Sequence, residues 1–130
     1  MQANMQSPAW YCVPLFLPFK LGKTMLDGGQ WHGQQVVPAD WVAESTSAQV
    51  TPPDAVQPAS THFDYGYYWW IIPDRGVYSA DGHGGQYIYV VPGKDLGIVF
   101  TAEPDTSDKE KTGWLEYFAT LADTIVAAAN

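Results

Sequence analysis

The chain has 130 residues, a net charge of -8 with only six Lys and Arg, and 15% aromatic residues, among them six Trp and eight Tyr. That length suits one domain with a real core and is short for a two-lobed enzyme. The acidic balance speaks against nucleic acid and against an anionic membrane surface, both of which demand clustered positive charge.

The segment 1–19, MQANMQSPAWYCVPLFLPF, shows no helical or strand period, and Pro8, Pro14 and Pro18 are expected to keep it an irregular, Pro-rich arm. Its apolar run is too short to span a membrane, and it lacks the positive flank and cleavage site of a signal peptide, so the compartment stays undetermined. The lone Cys12 rules out an internal disulfide, and His32, His62 and His83 lie too far apart in sequence for a zinc pattern. No metal or organic cofactor is implied.

The body of the domain, 20–130, opens with a short helix over Lys20 to Asp27, in which Leu21, Met25 and Leu26 share a face and Gly28-Gly29 is the stop. A turn-containing loop or small hairpin around Gly33 follows, with His32 as a loop imidazole. Pro38-Ala39-Asp40 then opens a second helix that buries Trp41, Val42 and Ser45. Thr51 to Ser60 holds three prolines and reads as a surface connection, and His62 lies in the loop that follows it.

The run Tyr65-Gly66-Tyr67-Tyr68-Trp69-Trp70-Ile71-Ile72 reads as one strand, ended by the turn Pro73-Asp74-Arg75-Gly76. Val77 to Ala80 is the next. The surest element is the hairpin Gln86–Val91 with Leu96–Thr101, joined by Pro92-Gly93-Lys94-Asp95, where proline presets φ and Gly93 is expected to supply the positive φ. From Ser107 to Ala129, apolar residues at helical spacing predict a long helix that lays one face on the sheet. The fold class is therefore α+β: an antiparallel sheet of at least three strands with a long C-terminal helix packed on it.

Between the strands stands Asp81-Gly82-His83-Gly84-Gly85-Gln86. Glycines persist at strand ends where a ligand or another backbone comes close, so this stretch is either a plain turn with a solvated imidazole or one wall of a site. Asp81 is expected to accept backbone N–H bonds in its turn rather than to act as a base.

The ordered set LGKTMLDGGQWHGQQVVPADWVAEST, DYGYYWWI, GHGGQYIYVVPGKDLGIVFTA and a terminal amphipathic helix resembles the C-terminal portion of the serine hydrolases related to class C β-lactamases and penicillin-binding proteins, from about Leu21 to Ala127. The resemblance implies a partial β-lactamase/transpeptidase-like fold. It puts His83-Gly84-Gly85 in the place of the family's K-T-G box. By the same resemblance Gly85 leaves the strand edge bare for an acyl group, the Gln86 amide is half of an oxyanion hole, His83 lines the pocket, and Gly84 and Tyr87 contact substrate.

Two of the family's three boxes are absent: none of the six serines has lysine three positions on, and no Tyr or Ser is followed two positions on by Asn. Acyl transfer by the isolated chain is therefore not expected, and the partners implied are a missing N-terminal half or a second copy of the chain in a homo-oligomer, with a small acyl substrate in the parent. A β-lactam, a peptide and a simple ester all remain open as that substrate. From a different class, the aromatic run 65–70 suits a non-catalytic binding or oligomerisation module.

Overall fold

A computed structural model describes residues 16–53, 62–82, 85–101 and 113–129, with only the backbone of 113–119. Helix α1 covers Phe16–Leu26, so it starts four residues before the expected Lys20. Pro18 falls in its first turn, where the missing N–H has no helical partner to lose; that is why proline did not exclude residues 16–19 from the helix. The helix stops as expected. Gly28 takes φ 63°, and the Gly28 and Gly29 amides donate to the Met25 and Thr24 carbonyls, a Schellman ending.

Strands β1 (Gln30–Trp31) and β2 (Gln34–Gln35) form a tiny hairpin closed by His32 and Gly33, both at positive φ. The His32 ring rests edge-on against Trp31. Helix α2 (Ala39–Ser45) buries Val42 and Ser45 as its pattern requires, whereas Trp41, expected inside, is 45% exposed. Trp41 lies at the edge of the buried face and packs against the Tyr67 ring.

The main sheet is an antiparallel meander in the order β3-β4-β5-β6-β7, with β3 at Asp64–Tyr65, β4 at Trp70–Ile72, β5 at Val77–Gly82, β6 at Gln86–Val91 and β7 at Leu96–Phe100. The aromatic run expected as one strand is thus two, folded back at Gly66–Trp69. The Gly66 amide donates to the Trp69 carbonyl, and Tyr68 reverses the chain at φ 66°. Pro73 and Pro92 each open a one-turn 3-10 segment, closed at left-handed φ by Gly76 in the first and Asp95 in the second. Asp95, not Gly93, supplies the positive φ there, since short polar side chains tolerate that region.

Register decides the two faces. Tyr78, Ile88 and Val90 point one way and form a core with Met25 of α1, Val42 of α2 and Trp69. Ile72, Val77, Tyr89, Val91 and Ile98 point the other way, against Ala122, Ile125 and Val126 of helix α3 (Gly113–Ala128). The sheet is covered on both sides. Ser107 and Asp108, expected to begin the last helix, lie outside the described residues, as do residues 1–15. Among the described residues no helix is long and apolar enough to cross a membrane.

Candidate functional site at the β5–β6 end of the sheet

Strand β4 begins with Trp70 opposite Ser79, so β5 runs three residues beyond it through Ala80, Asp81 and Gly82. On the other side β7 stops with Phe100 opposite Tyr87. At this end the sheet has narrowed to β5 and β6, and Gly82 stands opposite Gln86 across the three-residue connection 83–85. Gly85 adopts φ 82°, a conformation that closes three-residue hairpin loops and that glycine reaches without strain. The reversed β3–β4 turn at 66–69 lies at the same end, because Trp70 pairs with Ser79 and not with Val77.

Of the five residues the resemblance singles out, His83 and Gly84 lie outside the described residues. Gly85 and Gln86 are adjacent at the hairpin end. Gln86 is exposed and shares a face with Ile88, the α1 side of the sheet. Tyr87 is half-buried and points to the α3 side, so Gln86 and Tyr87 diverge.

Directly across from Tyr87 stands Asp81, and the pair is the polar feature that sequence reading passed over. The Ser79 hydroxyl, buried two residues back on the same face, hydrogen-bonds to the Asp81 carboxylate. Asp81 keeps contact with water, yet the protein crowded around it pushes its pKa up to about 6, against the opposing pull of the Ser79 bond. Tyr87 is raised as well, first by desolvation and then by the Asp81 charge. Asp81 lies inside β5, opposite Tyr87 in the ladder; residues 83 and 84 of the turn, whose N–H groups it was expected to bond, lie outside the described residues. The signal was present as Ser79/Asp81 and Tyr87/Tyr89, two polar pairs at strand spacing on neighbouring strands.

Further along that face, burial raises Tyr89, and the Arg75 guanidinium opposes the rise. Among the described residues the buried Tyr89 hydroxyl finds no hydrogen-bond partner of good geometry, although the Arg75 guanidinium lies near it. Arg75 also binds the Asp123 carboxylate of α3 at 2.8 Å. His62 lies 3.3 Å from Asp64, which also accepts a 2.6 Å hydrogen bond from Thr51. That imidazole belongs to the β3 edge.

A cavity of about 290 Å³ lies elsewhere, under α1 and along β7, lined by Phe19, Lys23, Leu26, Ile88, Asp95 and Val99 among others. Among the described residues none from 81 to 87 lines it. Among the described residues no group of three or more His, Cys, Asp or Glu is placed to hold a metal ion.

A five-stranded antiparallel sheet with helices on both faces and a C-terminal helix across one of them is a β-lactamase-like α+β arrangement. A solved structure described as a "putative 6-aminohexanoate-dimer hydrolase from Bacillus anthracis" has this fold, with a TM-score of 0.56 and 20% identity over 85% of this chain and 28% of that one. The chain therefore spans less than a third of that protein's length. At this identity the likeness is one of fold. No family model matches the sequence, and no curated protein does either.

Proposed function

We propose that the chain is the C-terminal part of a β-lactamase-related serine hydrolase, a family that cleaves an ester, amide or β-lactam through an acyl-enzyme. The observation that carries the reading is the order of elements: helix, small hairpin, helix, five-strand meander and terminal helix, in the same fold as a protein described as a hydrolase. In this reading the 83–86 segment at the narrow end of the sheet is the wall of the cleft. The Gln86 amide is directed at the developing oxyanion, and Gly85 keeps the approach open.

The nucleophile and its base come from outside these 130 residues, because no S-x-x-K or Tyr-x-Asn box is present. The isolated chain is accordingly inactive, and its working form contains an N-terminal half or a second copy. The test is hydrolysis of nitrocefin and p-nitrophenyl acetate by the purified chain, alone and mixed with a polypeptide bearing S-x-x-K from a β-lactamase-related hydrolase. No turnover alone and turnover on mixing, lost when Gln86 becomes proline and its N–H is removed, is the expected result. Turnover by the chain alone overturns the inactivity, and mixing without effect overturns the role as a complementary part.

A further inference from the structure

Beside the narrow end of the sheet, the turn at 66–69 carries an aromatic surface that the acyl-transfer reading does not use. The Trp41 and Tyr67 rings pack with centroids 5.1 Å apart at 32°, although both keep over two fifths of their area in water, at 45% and 43%. Tyr68 is 86% exposed. It also holds φ 66°, a left-handed conformation that disfavours a bulky side chain. Strain at an exposed ring brings no packing in return, and residues held in this way cluster where something is bound.

The surface is rigid. The Tyr67 amide donates to the Ser45 carbonyl at the end of α2. Gly66 sits so close to that helix that a Cβ there would lie 2.3 Å from the same oxygen. Val42 and Ser45, buried beneath, fix α2 to the core. Trp41 and Tyr67 are thus presented by two elements locked to each other, which lowers the cost of ordering them around a ligand.

Charge selects the ligand. Asp40 and Glu44, four residues apart on α2, form one exposed row beside Trp41. Neither makes an ion pair among the described residues, whose ion pairs are Lys23–Asp27, His62–Asp64 and Arg75–Asp123. Exposed Trp and Tyr faces next to two unpaired carboxylates favour a cation, and a planar guanidinium both stacks on rings and bridges carboxylates. We infer that Trp41, Tyr67 and Tyr68, rimmed by Asp40 and Glu44, form a docking surface for an arginine-bearing polypeptide segment. The inference stands independently of the acyl chemistry.

The experiment measures binding of a fluorescein-labelled Gly-Arg-Gly-Arg-Gly peptide by anisotropy, beside a peptide in which neutral citrulline replaces arginine. The arginine peptide is expected to bind at least fivefold more tightly, and Trp41→Leu, which leaves the charge unchanged, to weaken it about fivefold. Asp40→Asn with Glu44→Gln is expected to weaken binding and flatten its salt dependence. Tyr68→Gly supplies the decisive contrast: binding weakens while the urea midpoint holds or rises, so lost affinity is not lost folding. Equal binding of the two peptides overturns the proposal. So does binding that survives Trp41→Leu and disappears only with the carboxylates, which marks diffuse attraction to an acidic protein.

Discussion

The same substitution, glycine to alanine, is expected to act with opposite signs at positions 66 and 97. At Gly66 an added Cβ would lie 2.3 Å from the Ser45 carbonyl oxygen and 2.8 Å from that of Ser47. Carbon–oxygen contacts settle near ~3.3 Å, so the turn must retreat from α2 by about 1 Å, which breaks the Tyr67 to Ser45 hydrogen bond. Overpacking of ~1–3 kcal/mol and a stranded backbone group worth ~1–3 kcal/mol add to a loss of about 2–6 kcal/mol. With a urea slope of about 1.5 kcal/mol per molar, the midpoint falls by at least about 1.3 M. At Gly97, inside β7, a Cβ meets nothing within 4 Å, and alanine there is expected to stabilise by about 0.5–1 kcal/mol. Urea denaturation followed by tryptophan fluorescence reads both. A Gly66→Ala midpoint within 0.3 M of the parent, or a destabilised Gly97→Ala, refutes the close contact between turn and α2 or the open space beside β7.

Asp81 should make stability depend on pH. Its folded pKa of about 6 lies above the ordinary 3.8, so its contribution is fully present below about pH 3.8 and lost as the pH rises through about 6. Asp81→Asn is expected to remove that part of the slope between pH 4 and 7 in urea midpoints, and an unchanged slope refutes it. Val90 is fully buried at 0% exposure, and Val90→Ala should cost about 2 kcal/mol by lost transfer energy and the cavity left behind. Arg75→Met cuts a pair exposed at 32% and 47% and should cost no more than about 1 kcal/mol. A larger loss on thermal denaturation would show that Arg75 serves the buried Tyr89 hydroxyl as well.

Local chemistry alone determined much of this chain. Gly28-Gly29 ended α1, Pro38 opened α2, and alternating β-branched and aromatic residues with Pro-led turns made the β6–β7 hairpin and the α+β class legible, because each rests on backbone preferences that neighbours do not overrule. Tertiary structure decided the rest. A run of strand-formers from Tyr65 to Ile72 contains no local signal that Gly66 must dock on Ser45, so only packing against α2 shows that it folds back and leaves Tyr68 in water. Pro18 was compatible with a helix only in a first turn, and the position of that turn depends on where α1 finds the sheet. The pairing of Asp81 with Tyr87, and the opposite facing of Gln86, follow from the register between two strands, which exists only once the chain has folded.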